Sequence, residues 1–93
     1  MRILGKLLLD DFRRRHADAN SWITSWVSEA EEATWSSPHG IKARYASASF
    51  LPDNVVIFNV KRNSYRMKCR AAYKTGVLKV VWIGTHAEYS KLK

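Results

Sequence analysis

An α+β fold, with two N-terminal helices packed on an antiparallel β-meander, is predicted by two patterns that divide the chain near its middle. Residues 55–89 read as three strand-like runs separated by two turns and followed by a short polar segment. Strands joined by connections this short pair antiparallel. Before them, from Gly5 to Ala33, apolar residues recur at helical rather than alternating spacing.

Met1–Leu4 fits either a short strand or the lead-in to a helix. Gly5–His16 is helical, because Leu8, Leu9 and Phe12 recur at i, i+1 and i+4 and Leu4 extends that face backwards. Arg13, Arg14 and Arg15 fill its last turn, where cations complement the helix dipole. Asp18 is expected to cap a second helix whose core face is Trp22, Ile23, Trp26, Val27 and Ala30. Glu29, Glu31 and Glu32 oppose the dipole at its end, which predicts pairing with basic neighbours or a solubilising role. Pro38 opens a short helix reaching Tyr45, and the small residues that follow enter a strand at Phe50. Pro52-Asp53-Asn54 is a turn.

Val55–Val60 is almost wholly apolar, as a central strand covered on both faces would be. Lys61–Ser64 connects it to the next strand, with Asn63 expected at positive φ. Ser64–Tyr73 alternates cleanly. Tyr65, Met67, Cys69, Ala71 and Tyr73 face one way, and Arg66, Lys68 and Arg70 the other. Lys74-Thr75-Gly76 turns the chain into a third strand, Val77–Ile83, which Gly84 is expected to end. Thr85 then caps a last helical turn, His86–Leu92, with Glu88 placed as in a capping box.

At 93 residues the chain has room for one domain, residues 1–93. No apolar run approaches the ~20 residues of a membrane span, and the N-terminus lacks a signal peptide's small-residue cleavage site, so a cytoplasmic protein is expected. The lone Cys69 excludes an internal disulfide and a thiolate zinc site, and its phase on the alternating strand places it among buried side chains. Charge is divided. Residues 1–39 carry five Lys/Arg against six Asp/Glu, net −1, and residues 40–93 carry eleven against two, net +9. The basic half predicts a polyanionic partner, nucleic acid or an acidic protein surface.

Several chemistries lack their residues. His16, His39 and His86 stand at unrelated spacings, no carboxylates cluster, no Gly-rich loop precedes a helix and no G-x-S-x-G is present. No metal and no cofactor is therefore expected. What the basic half can serve is metal-independent chemistry on RNA, which carries its own nucleophile, the 2′-hydroxyl. A protein must orient that group, move two protons and stabilise charge on phosphorus. Histidine suits the proton transfers and arginine the charge. Residues 59–89 hold all of these types: Arg66, Lys68 and Arg70 on one strand face, His86 and Tyr89 beyond the last strand, and Asn59, Lys61 and Arg62 around the first turn. The competing reading is a non-catalytic basic module, or a protein acting through a protein target with the same face.

The run Phe58-Asn59-Val60-x-x-Asn63-x-Tyr65-Arg66, followed by Trp82-Ile83-Gly84-Thr85-His86-x-Glu88-Tyr89, resembles the HigB-type toxins of bacterial toxin–antitoxin pairs, within the RelE/ParE superfamily. Lys42-Ala43-Arg44-Tyr45 and the amphipathic opening fit as well. The resemblance implies an endonuclease that cuts mRNA, usually in the ribosomal A site, by 2′-hydroxyl attack, and that is held inactive by a HigA-type helix-turn-helix antitoxin. It places Arg66 at the superfamily's phosphate-contacting arginine. His86 and Tyr89 fall in the region that supplies acid–base and stacking groups, and Lys42 with Arg44 falls loosely at a lysine pair. With the resemblance, Arg66, His86 and Tyr89 become the candidate catalytic residues, and Lys42, Arg44, Asn59, Lys61, Arg62, Lys68 and Arg70 the candidate RNA contacts. Relatives of ParE type share the fold yet target gyrase, so fold likeness alone does not imply nuclease activity.

Overall fold

Alternation in the C-terminal half builds the sheet that the N-terminal helices cover. The computed structural model describes residues 1–91. Its elements are β1 (Arg2–Leu4), α1 (Lys6–Arg15), a 3-10 turn (Ala17–Ala19), α2 (Asn20–Glu32), α3 (Pro38–Arg44), β2 (Ser49–Leu51), β3 (Val55–Val60), β4 (Tyr65–Ala72), β5 (Val77–Thr85) and α4 (His86–Lys91). Leu92, expected at the end of the last helix, lies outside the described residues. The five strands are ordered β1-β5-β4-β3-β2. From β2 to β5 they form the predicted antiparallel meander, and β1 joins the far edge parallel to β5, with Leu4 opposite Lys79.

One face of the sheet carries the main core. Val56, Phe58 and Val60 from β3, Met67 and Cys69 from β4, and Leu78 and Val80 from β5 pack with Leu9 and Phe12 of α1, Ile23, Trp26 and Ala30 of α2, and Ile41 of α3. Burial pushes the Cys69 thiol far above its ordinary pKa, as expected for a structural side chain. Leu8 is not in this core but 42% exposed, because α1 packs through a narrow stripe three residues apart. Leu4 belongs to β1 and, one residue after the buried Ile3, points to the opposite face. Gly5 makes the tight passage from β1 into α1. Its φ is 85°, and a Cβ there would stand 2.3 Å from the Val80 carbonyl oxygen.

Asp18 does not cap α2, whose N-cap position is Ala19 with no side-chain bond. A 3-10 turn intervenes, and the Asp18 carboxylate instead accepts the Tyr65 hydroxyl at 2.7 and 2.9 Å and Lys61 Nζ at 3.2 Å. These two bonds, Tyr65 first, hold Asp18 below the usual carboxylate range. The glutamates at the end of α2 find basic partners, Glu29 with Arg44 and Glu31 with Lys6. In the β3–β4 connection the left-handed residues are Lys61 (φ 49°) and Arg62 (φ 63°) rather than Asn63. The register Val60↔Tyr65 sets this. A four-residue loop must reverse direction early, and the strand pairing overrides local preference.

Gly84 does not end β5. It lies inside the strand, paired with Arg66, and β5 runs on to Thr85. Between Lys68↔Trp82 and Cys69↔Val80 the register shifts, leaving Val81 unpaired and 40% exposed. This bulge inserts one residue and so reverses the alternation of β5 beyond it. Lys79 and Gly84, an odd number of residues apart, consequently face the same side.

Candidate functional site

The second face of the sheet is built in cross-strand rows. Arg66 lies between Asn59 and Gly84, Lys68 between Ile57 and Trp82, and Arg70 between Val55 and Lys79. Directly opposed residues share a face, so the basic stripe of β4 runs down the middle of this side. Helices α1, α2 and α3 cover the other side. Here, among the described residues, α4 alone folds back, bringing Tyr89 into a small apolar cluster with Val55 and Ile57, on which Trp82 packs.

The start of α4 is held by a reciprocal pair. Thr85 N–H donates to Glu88 Oε1 at 2.8 Å, and Glu88 N–H donates to Thr85 Oγ1 at 3.1 Å, the capping box that the spacing predicts. Hydrogen bonds from the Thr85 backbone and hydroxyl lower the Glu88 pKa from its ordinary value of 4.5, and Arg15 and His16 add weaker favourable charge. Gly84 leaves room for this arrangement, since a Cβ there would lie 2.6 Å from the Trp82 ring and 2.9 Å from Glu88 Oε1.

Glu88 carries a pH prediction. Its folded-state pKa is depressed, so its contribution to α4 is present above the unfolded carboxylate range and lost as pH falls through the folded value. Protection of the Thr85 and Glu88 amides from exchange, relative to the intrinsic rate at each pH, is expected to hold from neutral pH down to that range and to fall below it. Glu88→Gln, which retains an acceptor for the same N–H, is expected to remove this acid dependence.

The cap aims His86 and Tyr89 at Arg66. Arg66 Nη2 lies 3.0 Å from His86 Nε2, and the Arg66 guanidinium carbon stands 5.0 Å from the centroid of the Tyr89 ring. Guanidinium has only donors, so this contact is a hydrogen bond when His86 Nε2 offers its lone pair, in the tautomer that carries the ring proton on Nδ1. Tyr89 is largely buried, with its ring 6.0 Å from that of Trp82. The three candidates chosen as catalytic thus converge on one end of the open face.

The candidate RNA contacts divide. Asn59 is the cross-strand neighbour of Arg66, and its Nδ2 donates to the Ser47 carbonyl at 3.1 Å. Lys68 and Arg70 continue the stripe away from His86. Arg62 sits exposed in the β3–β4 turn. Lys42 donates to the Ala48 carbonyl at 2.9 Å. Arg44 forks onto Glu29, with Nη2 2.7 Å from Oε1, and Lys61 pairs with Asp18, so both are engaged by carboxylates of the helical side. Sequence reading set His16 aside. It stacks on Phe12 at 4.4 Å between centroids and lies 5.1 Å from the Tyr65 ring, at the end of the sheet where Glu88 sits. Nothing in the local sequence signals this placement, which arises from the packing of α1 on β5.

Among the described residues no three His, Cys, Asp or Glu side chains are grouped to hold a metal ion, and no helix is long and apolar enough to cross a membrane. No curated protein matches the chain. A family of RelE-like toxic components of toxin–antitoxin systems does match, over residues 19–92, which include the basic stripe, the capping box and the convergent arginine, histidine and tyrosine. The chain belongs to this HigB toxin family, and as the toxic half of such a system it has an antitoxin for a partner.

Proposed function

We propose that this toxin is a metal-independent endoribonuclease that cleaves mRNA by 2′-hydroxyl attack, on the ribosome and in the cytoplasm, and that a HigA-type helix-turn-helix antitoxin restrains it. The observation that carries the reading is the contact of Arg66 Nη2 with His86 Nε2 at 3.0 Å, on an open, basic sheet face. A group that takes protons and a group that neutralises anionic oxygen sit side by side there. In-line phosphodiester cleavage needs both at one phosphate.

In this scheme the Arg66 guanidinium binds the scissile phosphate and stabilises the charge that gathers on its non-bridging oxygens. A phosphate drawing Arg66 toward itself releases the lone pair of His86 Nε2. His86 is then placed to exchange protons with the 2′-hydroxyl or the departing 5′-oxygen. The 2′-oxygen forms a bond to phosphorus as the bond to the 5′-oxygen breaks, leaving a 2′,3′-cyclic phosphate and a 5′-hydroxyl. Tyr89 is a positioning residue, since its buried ring braces Arg66 by a cation–π contact. Asn59 borders the site, and Lys68 and Arg70 hold the strand that passes through it, with Arg62 and Lys42 as outlying contacts and Arg44 and Lys61 reaching RNA only by leaving their carboxylates.

Ribosomes programmed with a defined mRNA test the reading. The purified protein is expected to cut it in the presence of a chelator, leaving cyclic phosphate ends, and His86→Ala is expected to cut it far more slowly. Absence of cleavage together with tight capture of a protein target would assign the chain to the binding-only class instead.

A further inference from the structure

The stripe that begins at Arg66 does not stop at Arg70. Alternation puts Arg66, Lys68, Arg70 and Ala72 on the same side of β4, and the bulge at Val81 brings Lys79 of β5 onto that side beside Arg70. Where this track reaches β1 it meets a cavity of about 460 Å³, lined by Leu4, Asn54, Ala72, Val77, Arg70 and Lys79. Asp53 adds a single carboxylate to the lining, against the two cations. The volume is in the range of small-ligand pockets, ~300–1,000 Å³. At ~3.3 Å per strand residue, Arg70 lies about 13 Å along the sheet from Arg66.

Apolar walls flanked by cations, reached along a line of cations, are what a single strand of nucleic acid requires. Its phosphates follow the charges, while a base covers apolar surface without demanding a fixed sequence. Leu4, 38% exposed, is an apolar side chain on this wall that the core does not use. We propose that the cavity between β1, β4 and β5 is an RNA subsite, holding one nucleotide of the bound strand a few nucleotides from the scissile phosphate. The base lies on Leu4, Ala72 and Val77, and the phosphate lies between Arg70 and Lys79. This rests on the RNA-cleavage reading and extends it to a second point of contact, adding Lys79, Leu4 and Asn54 to the residues that meet substrate.

Binding of labelled single-stranded RNAs of increasing length, from a trinucleotide to an octanucleotide, tests this with the cleavage-impaired His86→Ala chain as background. Affinity is expected to rise by roughly tenfold once the strand is long enough to reach the cavity. Ala72→Ile suits a strand and fills the cavity without adding an aromatic face. It is expected to abolish that rise and leave trinucleotide affinity unchanged. Lys79→Ala is expected to reduce the salt dependence by about one counterion for the longer RNAs only. A smooth dependence on length, or a rise that survives Ala72→Ile, would overturn the subsite and leave the cleavage reading standing. Failure to bind RNA of any length would overturn the subsite, while the cleavage reading stands or falls on the programmed-ribosome test. Ala72→Ile that spares RNA binding but releases an acidic protein partner would assign the cavity to that protein and likewise overturn the proposal.

Discussion

Replacing Arg66 by alanine is expected to slow mRNA cleavage by about 10²–10³-fold, the usual loss when one preorganised donor to a developing oxyanion is removed. Single-turnover cleavage on programmed ribosomes measures it, and relief of growth arrest on expression should follow. The side chain is only half-buried and its cross-strand neighbours are Asn59 and Gly84, so the thermal midpoint should change little. Arg66→Lys is expected to recover only a small part of the rate. An ammonium keeps the charge but loses the planar fork that can face a phosphate while resting on the Tyr89 ring. Undiminished cleavage by both variants would remove Arg66 from the mechanism.

The largest loss of stability is expected at Trp26. Its indole is 1% exposed, stands edge-on to Phe58 with centroids 5.3 Å apart, and joins α2 to β3, an inner strand of the sheet. Trp26→Ala should cost about 3–5 kcal/mol, the usual range for deleting a buried aromatic. At ~4 °C or more per kcal/mol for a chain of this size, the melting temperature should fall by at least about 12 °C. Trp26→Phe should cost much less. It keeps a ring against Phe58 and removes Nε1, which is buried without a hydrogen-bond partner among the described residues. Equal losses for the two variants, measured by denaturant or thermal unfolding, would show that the second indole ring alone fills the site.

Much of the fold was legible because its signals are local. The alternation of Tyr65–Ala72 reports directly which side chains are buried, and the periodicity of Ile23, Trp26 and Ala30 does so for α2. Thr85 and Glu88 announce their capping box by spacing alone. The errors fall where a distant partner overrides a local preference. Asp18 has the chemistry of a helix cap, but the Tyr65 hydroxyl and Lys61 reach it first. Asn63 has the chemistry of a left-handed residue, but the register of β3 on β4 puts the left-handed positions at Lys61 and Arg62 instead. Gly84 looks like a strand end because glycine often is one. Its role here is clearance for Trp82 and Glu88 inside a longer strand.

The candidate site divides along the same line. By itself the sequence determined that Arg66, Lys68 and Arg70 share a face and that α4 begins at His86. Each follows from residue type and a short period, which local geometry enforces. Only the tertiary structure decided that α4 folds back over the open face so that His86 meets Arg66 and Tyr89 lies beneath it. It alone engaged Arg44 and Lys61 with carboxylates of the helical side. A single unpaired residue, Val81, turned Lys79 toward the basic stripe, because one inserted residue reverses the two-residue period of a strand and no feature of the local sequence marks where that insertion falls.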